Sequence, residues 1–127
     1  MSIDRAYDAV VIGARIAGST VAALLGDAGH RVLLVDRATF PSSTVSTHFF
    51  RGKFMVEVLE RLDVLDEVLA LGSPPLTCQY VYTDGSTEPD VEPPQQPGEV
   101  GYCLSVRRES LDHILVKRAH QIGRAHV

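Results

Sequence analysis

Residues 7–37 decide the fold, and they read YDAVVIGARIAGSTVAALLGDAGHRVLLVDR. The apolar run at residues 7–12 predicts a buried strand, because its later residues are apolar on both faces. Residues 19–28 carry apolar side chains at helical spacing, and Gly29 is placed to end that helix. Residues 31–36 form a second apolar run that ends on an acid. A strand, a glycine turn, a helix and a second strand within about thirty residues predict a βαβ unit with a right-handed crossover.

The turn between the first strand and the helix stands in the place of a GxGxxG motif. In that motif the first glycine allows a sharp turn, the second lets backbone amides approach a pyrophosphate, and the third lets helix and strand pack closely. The helix N-terminus offers N–H groups and a partial positive charge to the phosphates. Arg15 replaces the second glycine, so either its charge pairs with a pyrophosphate or it is a solvated turn residue. The predicted cofactor-binding residues of this turn are Gly13, Ala14, Arg15, Ile16, Ala17 and Gly18.

Asp36 is the acid that ends the second strand. Its distance from the glycine turn is close to the spacing at which a carboxylate accepts hydrogen bonds from the ribose hydroxyls of a dinucleotide. The alternative for Asp36 is an ordinary aspartate at the end of a strand. Arg37, beside it, suits a 2′-phosphate in some nucleotide-binding proteins, and here we expect it near the adenine ribose. Both residues are therefore predicted to bind the cofactor.

Further helices and strands are predicted along the rest of the chain. They are a helix over 50–62, a short helix over 64–71 that Asp63 is placed to cap, strands over 78–83 and 102–106, and a helix over 110–120. Asp84-Gly85 is a hairpin turn signal. Residues 88–98 hold four prolines and predict a flexible surface excursion.

Composition bounds the class of protein. The chain has 127 residues and a net charge of -4, which indicates one domain at most and gives no sign of a nucleic-acid partner. No apolar run reaches the length of a membrane span, and the N-terminus has no apolar signal segment. Cys78 and Cys103 fit neither a metal knuckle nor a redox pair, so no metal site is predicted. We expect a cytoplasmic protein with reduced thiols.

Four stretches together resemble the N-terminal end of FAD-dependent monooxygenases of the p-hydroxybenzoate hydroxylase fold. They are residues 7–15, 17–19, 32–41 and 46–48. The chain is most similar to the bacterial group of FAD-dependent oxidoreductases and geranylgeranyl-reductase-like proteins, in which arginine is common at the position of Arg15. The resemblance runs to about residue 120. It implies an α/β fold, a Rossmann-like FAD-binding βαβ domain of the glutathione-reductase type, which is incomplete in this chain.

The resemblance also implies three cofactor contacts outside the βαβ unit. Thr47 and His48 lie where the family's chain passes the pyrophosphate and flavin end of FAD, and their implied role is backbone and hydroxyl contact. The alternative for His48 is an exposed loop histidine. Arg108 matches the family's arginine at the start of a helix, which contacts the cofactor. The alternative for Arg108 is an ion pair with Glu109 or Asp112.

The implied function is that of a flavin-dependent oxidoreductase. The full-length protein would use FAD and NAD(P)H, and would either pass oxygen to a small organic substrate or reduce an alkene. This chain would bind the ADP moiety of FAD and be inactive alone, with no catalytic side chain of its own, since the flavin carries the chemistry. The alternatives are an NAD(P)-dependent dehydrogenase domain and a non-catalytic nucleotide-binding remnant. The sequence leaves the oligomeric state open.

The last six residues, Ile122-Gly123-Arg124-Ala125-His126-Val127, match the translation of a common short-read sequencing adapter. They also differ from the parallel strand that a doubly wound fold requires after the final helix. We therefore expect residues 1–121 to be the N-terminal part of an FAD-binding domain and residues 122–127 to be a non-native tail. The alternative is a genuine tail.

Overall fold

The computed structural model describes residues 6–46, 49–50, 53–91, 101–122 and 125–126. Their helices and strands are, in chain order, β1 (Ala9–Ile12), α1 (Ile16–Asp27), β2 (Val32–Val35), β3 (Phe49–Phe50), α2 (Lys53–Arg61), α3 (Leu65–Leu69), β4 (Cys78–Thr83), β5 (Ser86–Val91), β6 (Leu104–Ser105), α4 (Arg108–Gln121) and β7 (Ala125–His126). The chain divides into two units. The first unit is Met1–Ser46 with Arg108–Val127, and the second unit is Thr47–Arg107.

The first unit is a parallel sheet in the order β1-β2-β7. β1 pairs with β2 in register from Ala9↔Val32 to Ile12↔Val35, with α1 between them in the chain. This confirms the predicted βαβ unit. Helix α1 ends where expected, because Gly29 has φ +97° and its N–H donates to the carbonyl of Gly26 at 2.9 Å.

The final strand of this sheet lies within residues 122–127, which were not expected to form a parallel strand. Ala125 pairs in parallel with Val32, and His126 with Leu33. These two residues therefore do supply a parallel strand after α4, as a doubly wound fold requires. Their conformation does not bear on the origin of the hexapeptide, so a non-native tail remains a prediction.

Helices α1 and α4 pack against each other in the first unit. Small residues allow the close approach: Ala22 and Ala23 are fully buried, and a Cβ on Gly26 would lie 2.9 Å from Cγ2 of Ile122. The apolar face predicted for the last helix is confirmed. Its buried residues include Leu111, Ile114, Leu115 and Ala119.

The prediction that strand β1 is buried on both faces is wrong. Val11 lies toward α1, since its Cγ1 would be 3.2 Å from a Cβ on Gly18. Val10 and Ile12 on the opposite face are 60% and 86% exposed. Side chains alternate between the faces of a strand, and among the described residues α1 contacts β1 from the Val11 side.

The second unit contains a hairpin of β4 and β5, paired antiparallel from Cys78↔Val91 to Thr83↔Ser86. Its turn is Asp84-Gly85, with φ +43° and +83°, which confirms the hairpin signal. The predicted excursion over 88–98 is wrong for residues 88–91, because the turn fixes a register that carries them into β5. Residues 92–98 lie outside the described residues.

Asp63 does not cap the short helix α3, whose N-cap is Val64 without a side-chain hydrogen bond. Asp63 instead has φ +57° and ends α2. Its N–H donates to the carbonyl of Glu60 at 2.9 Å, and the N–H of Val64 donates to that of Leu59 at 3.0 Å. These two bonds form a Schellman motif, so the left-handed residue serves the preceding helix.

Two short pairings complete the described second unit. β3 pairs antiparallel with β6, and Leu76 forms an isolated bridge with Cys103. Nowhere in the described ranges does a helix have the length and apolar character needed to cross a membrane.

Candidate nucleotide-binding site

The turn after β1 is built on two glycines with different roles. Gly13 has φ +99°, which side chains rarely allow, and its N–H donates to the carbonyl of Val35 at 2.7 Å. Gly18 lies where a Cβ would be 1.7 Å from the carbonyl oxygen of Gly13. The first glycine thus permits the turn and the last permits helix and strand to touch, as the motif predicts. Contact of either with a cofactor remains a prediction.

Helix α1 begins directly behind this turn, with Arg15 as its N-cap. Arg15 makes no side-chain cap, and the first N–H groups of any helix have no acceptor within the helix. Ile16 and Ala17 lie in this first turn. The fully buried Ser19 donates a short hydrogen bond from Oγ to the carbonyl of Ala14, which holds the turn against the helix. The predicted turn residues therefore surround a helix N-terminus suited to an anion.

Asp36 lies at the carboxyl end of β2 and accepts two backbone hydrogen bonds. Its Oδ2 accepts from the N–H of Ala14 at 2.7 Å, and its Oδ1 accepts from the N–H of Ala38 at 2.8 Å. These N–H groups, that of Ala38 first, lower the pKa of the carboxyl below its usual value. An ionised carboxylate has about four lone-pair positions, so acceptor capacity remains for ribose hydroxyls.

A cavity of about 330 Å³ opens beside this carboxylate. Its lining residues are Ile12, Gly13, Val35, Asp36 and Arg37. Apolar walls with one fixed acceptor are typical of small-molecule sites and suit an adenine ring joined to a ribose. The cavity brings the predicted residues Asp36 and Arg37 together with the glycine turn.

Arg15 is held by protein groups, and its predicted contact with the pyrophosphate remains a prediction. Its Nη1 donates to the carbonyl of Ser42 and to Oδ2 of Asp112, both at 2.8 Å. Its Nη2 donates to Oγ of Ser42 at 3.0 Å, and its Cζ lies 5.0 Å from the centre of the Phe40 ring. The side chain is 29% exposed, so it is not a solvated turn residue. The guanidinium is directed at the loop that follows β2 and at α4.

Arg108 is the first residue of α4 and shares the same carboxylate. Its Nε and Nη2 donate to Oδ1 of Asp112 at 3.3 and 3.2 Å, and its Nη1 donates to Oγ of Ser46 at 2.6 Å. The ion pair with Asp112 is thus present. A cofactor contact of Arg108 remains a prediction, as do those of Thr47 and His48, which lie outside the described residues.

Sequence reasoning named Asp112 only as a possible ion-pair partner of Arg108 and missed its contact with Arg15. It is fully buried on α4, on the face that carries Leu111 and Leu115. The available signal was an aspartate four residues after an arginine, beside apolar positions in a helix. That spacing predicts the pair with Arg108, whereas the approach of Arg15 depends on tertiary structure.

A glycine turn, a strand-end carboxylate, a helix N-terminus and an adenosine-sized cavity thus meet at one edge of the sheet. A family model described as an FAD-binding domain matches residues 6–127 of this chain. The chain belongs to the FAD-binding domain family. The match confirms the resemblance to FAD-dependent enzymes and the predicted fold class, and FAD as the family's cofactor argues against the NAD(P)-dependent dehydrogenase alternative.

Solved structures share the fold of this chain. The myxobacterial chondrochloren halogenase CndH, an FAD-dependent halogenase, matches with a TM-score of 0.80 and 24% identity over 94% of this chain and 28% of its own. PqsL of Pseudomonas aeruginosa, described as a probable FAD-dependent monooxygenase, matches with a TM-score of 0.75 and 24% identity, over 94% and 32% of the two chains. At these identities the matches show the fold.

A shorter match comes from a curated protein. The menaquinone reductase of Mycobacterium tuberculosis is 54% identical over 41 residues, which are 32% of this chain and 10% of that protein. The FAD-binding domain described here therefore spans a third or less of the length of these relatives.

Proposed function

We propose that this FAD-binding domain holds the ADP moiety of FAD within a flavin-dependent oxidoreductase. The observation that carries the proposal is the position of Asp36, whose carboxylate lies beside the cavity and is bonded to the glycine turn through the N–H of Ala14 at 2.7 Å. A carboxylate held in this way presents fixed acceptors to a ribose and leaves the start of α1 for the pyrophosphate.

The residues present fit the cofactor in shape and charge. The N–H groups at the start of α1 would bind phosphate oxygens, Asp36 would accept from the ribose, and the apolar wall of Ile12 and Val35 would contact the adenine. Arg37 lines the same cavity and would lie near the ribose. FAD, when bound, supplies the redox chemistry, and this chain's contribution is to bind and orient its nucleotide half.

For the whole protein we propose monooxygenation of a small organic substrate with NAD(P)H as reductant. The likeness in fold to PqsL supports the monooxygenase assignment. The second candidate is reduction of an organic substrate, supported by the 54% identity to a menaquinone reductase. NADPH or NADH consumption by the longer protein, with and without oxygen uptake, separates the two reactions. Oxygen uptake coupled to substrate supports monooxygenation, and oxygen-independent consumption supports reduction.

Calorimetric titration of this chain with ADP tests the proposed site. We expect saturable binding of ADP and weaker binding of GDP, because the cavity would accept the adenine ring. Absence of ADP binding to a chain with folded circular dichroism would overturn the proposal and favour a non-catalytic remnant. We also expect no turnover and little FAD retained through gel filtration, since the chain spans a third or less of its solved relatives.

Genomic sequence at the locus tests the proposed division at residue 121. We expect the reading frame to diverge from the present chain within residues 122–127 and to continue into further cofactor-binding segments. Genomic DNA that encodes the same hexapeptide and then a stop codon would show that the tail is genuine.

A further inference from the structure

Asp112 joins two arginines that come from distant parts of the chain. Its side chain has no exposed surface, and its two oxygens are divided between the partners. Oδ2 accepts from Arg15, which precedes α1, and Oδ1 accepts from Arg108 at the start of α4. A carboxylate in this position compensates the charge of one guanidinium and orients both through hydrogen bonds.

Both arginines also donate hydrogen bonds to the loop over residues 40–46, here called the post-β2 loop. Arg15 reaches the carbonyl and hydroxyl of Ser42 and, at 3.5 Å, the carbonyl of Ser43. Arg108 reaches the hydroxyl of Ser46. The loop is therefore attached to the two guanidinium groups near its middle and at its end, and both of these groups are bonded to Asp112.

Ala38, two residues before the post-β2 loop, is attached to the nucleotide site, and Phe40 at the start of the loop contacts Arg15. The N–H of Ala38 donates to Oδ1 of Asp36 at 2.8 Å, and the Phe40 ring lies against the guanidinium of Arg15. A change in the loop's conformation would therefore move a donor away from the carboxylate that is proposed to bind ribose. Asp36, the ribose acceptor, therefore contacts the beginning of the segment 38–46, and the two arginines contact its later residues.

We infer that Asp112 is a positioning residue that fixes the post-β2 loop through Arg15 and Arg108. Arg15 thereby supports nucleotide binding through the loop and does not pair with the pyrophosphate. The second statement rests on the proposed function, whereas the first concerns the loop alone. A glycine at this position would let the backbone approach the pyrophosphate closely. Arg15 instead connects the turn, the loop and α4 through its hydrogen bonds.

Hydrogen–deuterium exchange of the whole chain tests the effect on the loop. In Asp112→Asn the carboxylate charge is lost while an acceptor oxygen remains, and we expect the amides of Phe40 and of residues 42–46 to exchange about tenfold faster or more. Amides of β1 and the interior of α1 keep their protection. Asp27→Asn, which changes a partly exposed carboxylate paired with Arg118 of α4, is the control and leaves the loop unchanged. Equal loop protection in Asp112→Asn and the unsubstituted chain would overturn the inference.

Arg15→Gly restores the second glycine and tests the role of the arginine. We expect faster exchange in the loop, and a smaller additional effect of Asp112→Asn in the double variant than in the unsubstituted background. Weaker ADP binding with an unchanged loop would instead show direct pairing with phosphate and refute the inference. If Asp112→Asn does not fold, Arg15→Gly decides alone. If the unsubstituted chain binds no ADP, the proposed function fails while the exchange data still decide the role of Asp112.

Discussion

The glycine turn and the post-β2 loop are two neighbouring segments whose conformations are fixed by different forces. The turn depends on absent atoms, since a Cβ on Gly18 would lie 1.7 Å from the carbonyl oxygen of Gly13. The loop depends on charges, since Arg15 and Arg108 hold it while sharing Asp112. Any side chain added at Gly18 meets the backbone, so no substitution there is partly tolerated. An ionic cluster instead loses its stabilising effect gradually as charged side chains are removed. Asp36 contacts both segments, through Ala14 on one side and Ala38 on the other.

The two largest effects are expected from Gly18→Ala and from removal of Asp112, and Gly18→Ala tests the steric side of the comparison. The added methyl group must displace backbone, and we expect a loss of about 3 kcal/mol in the free energy of unfolding, measured by urea denaturation. Gly13→Ala is the matched control, because a Cβ there meets nothing within 4 Å and only its positive φ is strained. Its expected cost is about 1–2 kcal/mol. Equal losses in the two variants would show that close packing does not limit the turn.

Removal of the shared carboxylate tests the ionic side. Asp112→Ala leaves two guanidinium groups without their buried partner, and we expect a loss of about 3 kcal/mol in the free energy of unfolding. Asp27→Ala is the control, since Asp27 also pairs with an arginine of α4, Arg118 at 3.3 Å, but is 40% exposed. Its expected cost is below about 1 kcal/mol. A small loss in both variants would mean that the cluster adds nothing beyond a surface ion pair.

Asp36→Ala is expected to act on binding more than on stability. Loss of a charged acceptor for ribose weakens ADP affinity about tenfold, measured by calorimetry. Asp8→Ala is the control, because Asp8 also accepts a backbone hydrogen bond, from the N–H of Arg31 at 2.7 Å, but precedes β1 at the other end of the strands. We expect its ADP affinity to stay unchanged. A similar loss of ADP affinity in both variants would show that Asp36 does not bind the ribose.

The smallest effect concerns acid stability. The pKa of Asp36 is lowered in the folded chain by the N–H groups of Ala38 and Ala14, so its ionised form stabilises the fold above the unfolded value, which is about 4. That contribution is lost as the pH falls from about 4 through the lower folded pKa. Urea denaturation at several pH values should therefore show a shallower acid loss in Asp36→Asn than in the unsubstituted chain. An equal loss of unfolding free energy at acid pH in both chains would contradict the hydrogen bonds assigned to Asp36.

Local patterns in the sequence were sufficient to predict the βαβ unit and the position of Asp36. Glycine placement, apolar periodicity and the strand-end acid all act over short distances, and each appears in the structure where its spacing puts it. The environment of Arg15 was beyond such reasoning, because its ionic partner lies 97 positions further along the chain. Asp63 shows a similar limit at short range, since a residue between two helices can serve either one.

The hydrogen bond between Arg108 and Ser46 has a consequence for the modular organisation of the protein. These two residues are the boundaries of the first unit, where the chain departs and where it returns, and their side chains meet at 2.6 Å. The second unit, Thr47–Arg107, is thus inserted between two residues of the first unit, Ser46 and Arg108, whose side chains are hydrogen-bonded to each other. A replacement of the inserted segment would therefore have to join two residues whose separation this hydrogen bond already fixes.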